Sequence, residues 1–105
     1  MAQIIWTEPA LFDLNEIAEY IALDKADAAR RLVNQVFKSA GQLEQFPDLG
    51  RKPPELDDST YREIIVNPCP IFYRLDQNKV YILHVMRGER QLRKYLLDER
   101  AQDAS

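Results

Sequence analysis

The sequence predicts an α+β fold: an antiparallel β-sheet with an N-terminal helical hairpin packed on one face. Two observations carry this. Apolar residues recur at helical spacing through the first half, and the second half breaks into short β-branched and aromatic runs separated by turn residues. A third, the length of 105 residues, fits one domain that buries a core without staples, so residues 1–105 are read as a single unit.

The elements follow in order. "QIIWT" (Gln3 to Thr7) suits a strand. Thr7 can then cap a helix whose first turn holds Glu8 and Pro9, an acid and a proline where both are tolerated. Leu11, Leu14, Ile17, Ala18 and Ile21 form one apolar stripe. Asp24 reads as a second cap, after which Ala29, Leu32, Val33, Val36, Phe37, Ala40 and Leu43 repeat the period. So short a connection makes the helices an antiparallel hairpin. Pro47 and Gly50 in "FPDLGRKPPELDDS" stop the second helix and open a loop to about Ser59.

"YREIIV", "IFYRL" and "VYILHVM" read as three strands, broken at "NPCP" and "DQNK". By strict alternation Val80, Ile82, His84 and Met86 share a face of the last strand, and Tyr81, Leu83, Val85 and Arg87 the other. Both sets are mainly apolar, so both faces of the sheet need a cover. The hairpin covers one; the other falls to the C-terminal segment, a second copy or a partner chain. "ERQLRKYLLDERAQ" reads as a short helix with Leu92, Leu96 and Tyr95 on one side, and "AQDAS" as a frayed end.

Composition excludes several classes. Charged residues are 30% and hydrophobic ones 46%, an ordinary globular balance. A lone cysteine, Cys69, gives no disulfide framework and no thiolate cluster, so neither a metal nor a cofactor is expected. No basic region followed by an apolar core opens the chain, and no apolar run approaches membrane-spanning length, so a cytoplasmic protein is expected. The net charge of −3 is uneven. Met1 to Thr60 holds six Lys/Arg against eleven Asp/Glu, a balance of −5, and Tyr61 to Ser105 holds eight against six, a balance of +2.

"FPDLGRKPPEL" and "YREIIVNPCPIFYRLDQNKVYILHVMRGER" resemble the RelE/ParE toxin superfamily. The shared features are a P-x-x-G loop, a YR strand start, an hhYR strand and an hhxVhHxxR-like strand end, in this order between Ile4 and about Tyr95. The resemblance implies a toxin of a type II toxin–antitoxin module, partnered by a cognate antitoxin, as a homodimer or a toxin–antitoxin hetero-oligomer. It implies one of two activities on the same fold. ParE-like members poison DNA gyrase by binding; RelE-like members cleave mRNA on the ribosome without a metal.

The residues favour gyrase as target. The chain is acidic overall, its loop offers only Arg51-Lys52 where the RelE-like pattern has a lysine-rich run, and His84 lies within the last strand and reads as a packed imidazole. A nuclease would draw on Arg62, Arg87 and Tyr95, with Arg51, Lys52 and Arg74 as accessory cations. Each also has a plainer reading: Arg74 ordering neighbouring carbonyls, Arg62 pairing with an acid, Arg51 and Lys52 a solvated loop, Asp98 and Glu99 solvated charges. In "VMRGERQLRKY", Arg87, Arg90, Arg93 and Lys94 face the single Glu89. A helix after Gly88 sets Arg90, Arg93, Lys94 and Leu97 near one side, a surface for docking an acidic target or antitoxin segment.

Overall fold

The computed structural model describes residues 1–56, 60–87 and 94–104. Strand β1 (Gln3–Trp6) leads into helix α1 (Glu8–Ala22), then α2 (Ala26–Gly41) and a 3-10 turn, Gln42–Glu44. A loop precedes the meander β2 (Tyr61–Val66), β3 (Cys69–Asp76) and β4 (Lys79–Val85), and α3 (Lys94–Ala104) follows. The sheet order is β1-β4-β3-β2. The meander is antiparallel, while β1 lies parallel to β4 with Gln3 opposite Lys79. The α+β class with a hairpin on one face holds.

Thr7 joins β1 to α1. Its Oγ1 accepts from the Ala10 amide at the helix start and donates to the Ile82 carbonyl at 2.7 Å, beyond the last β1–β4 pair. Asp24 is not the cap of α2. Lys25 holds that position without a side-chain bond, so tertiary packing rather than capping sets where this helix starts. Between β3 and β4 the turn places Gln77 at φ 57, a left-handed conformation that strains any side chain but glycine.

The sheet separates two cores. Against the hairpin, Leu14, Ile17, Leu32 and Val36 pack on Ile71, Tyr73, Val80, Ile82 and Val85. On the far side Leu97 and Ala101 of α3 pack on Tyr61, Phe72, Leu83 and Met86, with Leu56 from the loop. The second face is therefore covered by the chain's own C-terminal helix. Ala101 is buried and α3 runs on to Ala104, so the described part of "AQDAS", residues 101–104, is helix and not a frayed end. Leu97 is fully buried and Tyr95 67% exposed, so the apolar side of this helix is not the one that Tyr95 and Leu96 suggest. The start placed at Glu89 lies outside the described residues.

The strict alternation expected for β4 breaks at Leu83. Tyr73 pairs with Ile82 but Phe72 with His84, which leaves Leu83 as an extra residue, a β-bulge. The bulge shifts the pleat by one. Val85 joins Val80 and Ile82 in the hairpin-side core, whereas Met86 joins Leu83 on the α3 side. His84 accompanies Phe72, its cross-strand partner, with ring centroids 5.9 Å apart.

Candidate functional site

A polar cluster sits where β4 outruns β1. Past Trp6 the edge of β4 has no strand partner among the described residues, and two side chains take the strand's place. Asp13 Oδ2, from α1, accepts from the Val85 amide at 3.2 Å and from His84 Nδ1 at 2.7 Å. Arg100, from α3, donates Nη1 to Asp13 Oδ2 at 2.6 Å and to the Leu83 carbonyl at 2.9 Å. Those two bonds use both Nη1 protons. The close Arg100–His84 approach is then geometric, and the Nδ1 proton of His84 is directed to Asp13. Burial alone would raise the Asp13 pKa, but the hydrogen bonds from His84 and Arg100 outweigh it and hold the carboxyl below its usual range. The cluster ties α1, β4 and α3 together, and His84 is a packed, hydrogen-bonded residue within it.

A second staple holds the loop onto the sheet. Tyr73 Oη donates to the Pro47 carbonyl at 2.7 Å and accepts the Gly50 amide at 2.9 Å. Gly50 can approach because it has no Cβ; one would lie 2.7 Å from the Tyr73 ring. Arg51 then bridges the outer edge of β2, its amide bonding the Glu63 carbonyl and its carbonyl the Glu63 amide. Its Nε meets the buried Glu63 carboxylate at 2.7 Å. The loop expected to be plain solvated chain thus seals an open sheet edge at its midpoint, while Lys52 stays exposed and makes no ion pair among the described residues.

The remaining candidate cations are placed one by one. Arg62 donates to the Gly50 carbonyl at 2.8 Å and lies 3.8 Å from Asp48 Oδ1. Arg74 pairs with Asp76 at 2.9 Å. Lys94 pairs with Asp98 at 3.1 Å on α3. Asp98 is not merely solvated: it accepts the Tyr61 hydroxyl at 2.6 Å, and that bond, with Lys94, draws its pKa down. Burial first, then Asp98, pushes the Tyr61 phenol well above its ordinary value and keeps it protonated. Burial likewise raises the Cys69 thiol, which disfavours the nucleophilic thiolate.

Arg87 is turned toward α1, its guanidinium carbon 4.4 Å above the Tyr20 ring. Because β2 and β4 run in the same direction, Arg62 at the head of one and Arg87 after the end of the other lie toward opposite ends of the sheet. Arg87 on α1 and Lys94 on Asp98 hold the two described cations of the docking stretch to different neighbours. Arg90 and Arg93 lie outside the described residues. Residues not singled out in the sequence, namely Asp13, Glu63, Arg100 and Tyr73, organise most of these contacts. For Tyr73 the hhYR pattern was the available signal.

The profile of a family described as "ParE toxin of type II toxin-antitoxin system, parDE" matches residues 4–92. Toxin RelE2 of Caulobacter vibrioides is 34% identical over 91 residues, covering 86% of this chain and 99% of the relative. Putative toxin Y4kP of Sinorhizobium fredii is 38% identical over 91 residues, covering 85% and 91%. A solved structure titled "Chromosomal ParDE TA system from P. aeruginosa" superposes with a TM-score of 0.71 over 85% of this chain and 98% of that one. At 24% identity that match shows the fold. The family profile and the two relatives place the chain in the RelE/ParE toxin superfamily. Within that class, the chain belongs to the ParE toxin family of type II toxin–antitoxin systems.

Proposed function

We propose that this toxin acts by binding DNA gyrase, and that a cognate antitoxin neutralises it. One observation supports this over RNA cleavage: of the cations a nuclease would use, those described are engaged locally or lie apart. Arg62 is held by loop carbonyls, Arg51 by Glu63, Arg74 by Asp76, and Arg87 sits over Tyr20. Cleavage by side chains needs a base or acid and a cation converging within about 3 Å of the reacting atoms. Tyr95, the acid in that scheme, is 67% exposed on α3. A binding toxin needs no such convergence, because a docking surface spreads its contribution over many contacts.

The alternative, a ribosome-dependent mRNA endonuclease using Arg62, Arg87 and Tyr95, draws on the name of the Caulobacter relative, Toxin RelE2. Purified protein assayed in parallel for gyrase supercoiling and for mRNA cleavage in primed in vitro translation separates the two. Inhibition of supercoiling with intact mRNA is expected. Codon-dependent mRNA cleavage with unaffected gyrase refutes the gyrase reading.

A further inference from the structure

The surface turn between the 3-10 turn and Gly50 is held as firmly as core. The Leu49 amide donates to the Phe46 carbonyl at 3.0 Å and closes a β-turn over Pro47 and Asp48, with proline where its fixed φ suits the turn. The Phe46 amide donates back to the Gln42 carbonyl at 3.0 Å. From the sheet, the Tyr73 hydroxyl donates to the Pro47 carbonyl at 2.7 Å. Arg62 Nη1 donates to the Gly50 carbonyl at 2.8 Å and to the Asp48 carbonyl at 3.4 Å. The carbonyls of Phe46, Pro47, Asp48 and Gly50 are thus all engaged from within the chain. Sealing of the sheet edge does not account for this bracing, because the Arg51–Glu63 bridge that seals β2 comes after the turn has ended.

What the braced turn presents is apolar. Phe46 is 61% and Leu49 55% exposed, and neither belongs to the two cores. The ends of a β-turn lie within about 7 Å of each other, so the two side chains stand close together. Exposed apolar residues scattered singly are ordinary on any protein. A pair on a fixed turn differs, since folding has already met the ordering cost that binding would otherwise carry. Two cations follow at once: Arg51, whose side chain stays 63% exposed although its partner Glu63 is buried, and exposed Lys52.

We propose that Phe46 and Leu49 are the apolar anchors by which this toxin grips its protein target, seated in an apolar pocket whose rim carries carboxylates opposite Arg51 and Lys52. The inference rests on the gyrase reading above and names the surface that reading requires. A convex, rigid turn fits a partner that brings its own concavity, as a folded enzyme does. A few aromatic and aliphatic anchors surrounded by polar contacts are the usual composition of such an interface. Nucleic acid is a poorer fit, because the exposed carboxylate of Asp48 stands on the turn itself and would repel phosphate.

The test measures inhibition of supercoiling by purified gyrase, and direct binding to it, for wild type, Phe46→Ser, Leu49→Ser, the double variant and Lys52→Glu. Leu23→Ser, an equally exposed apolar residue at the far end of α2, is the control. Each single serine substitution is expected to weaken inhibition about tenfold and the pair at least about a hundredfold. Lys52→Glu is expected to weaken it about threefold at low salt and less at high salt, with Leu23→Ser near wild type. These positions lie outside both cores, and melting temperatures verify that each variant is folded. Full inhibition by a folded double variant, with wild type active, overturns the anchor assignment and leaves the gyrase reading standing. A wild type without effect on gyrase overturns that reading, and the anchors with it. If the double variant instead loses affinity for the cognate antitoxin, or turns a dimer into a monomer in sedimentation, while gyrase inhibition is kept, the turn serves that partner and the proposal is refuted.

Discussion

Replacing Gly50 by alanine would set a methyl carbon inside the contact shell of three atoms at once. It would lie 2.7 Å from both Cε1 and Oη of Tyr73, and 2.8 Å from the Glu63 carbonyl oxygen. None of these can yield cheaply. Tyr73 is fully buried and Glu63 belongs to a sheet ladder. Relief requires lifting the loop, which breaks the Gly50–Tyr73 bond and strains the Tyr73–Pro47 bond. Overpacking typically costs about 1–3 kcal/mol and each buried hydrogen bond about 1, so the expected loss is roughly 2–4 kcal/mol. For a domain of this size that lowers the melting temperature by roughly 10–20 °C. Thermal and urea denaturation followed by circular dichroism measure it directly. In a Tyr73→Phe background the hydrogen-bond part is already lost, so the second substitution should cost about 1 kcal/mol less. A drop of under about 3 °C in Gly50→Ala alone would refute the staple.

Other perturbations test the remaining features. Asp13→Asn keeps the size but leaves Arg100 without its charge partner, and should cost roughly 2–4 kcal/mol by urea titration. The Asp13 pKa is depressed on folding, so its contribution is complete above its unfolded value near 3.8 and is lost as pH falls through the lower folded value. Wild type should therefore weaken through this acid window, and Asp13→Asn much less. Gln77→Gly relieves a left-handed φ and should stabilise by about 0.5 kcal/mol, less than the full strain because glycine costs more entropy to order. On the gyrase reading proposed above, Tyr95→Phe and Arg74→Gln should leave inhibition of supercoiling within about twofold of wild type, whereas loss of a true catalytic group typically costs about a hundredfold or more.

The helical hairpin, the loop and the meander were legible because each is written locally, in periodicity and in proline and glycine positions. The bulge at Leu83 was not. It depends on Arg100 satisfying the Leu83 carbonyl and on Asp13 satisfying the Val85 amide, contacts set by tertiary packing. Alternation along "VYILHVM" therefore misassigned Val85 and Met86 while assigning Val80 and Ile82 correctly. The cations were legible as residues but not as partners. Nothing local tells that Arg62 turns to the loop, or that Asp98 answers Tyr61 rather than water. Asp24 was a good cap by type, yet Lys25 took the position because the packing of α2, not its first turn, fixed the start.

The pairing of β1 with β4 also bears on when the toxin can become dangerous to the cell that makes it. The first strand emerges early but finds its parallel neighbour only after Lys79 to Ile82 have been made. Asp13 must wait longer still for Arg100, 87 positions away. Contacts of such sequence separation close late and slow folding. A nascent chain on the ribosome therefore holds a formed hairpin beside an incomplete sheet, with no α3 over the second face. The finished surface of the toxin comes into being only near the end of synthesis. Any partner or target that needs the finished surface must therefore await a nearly completed molecule.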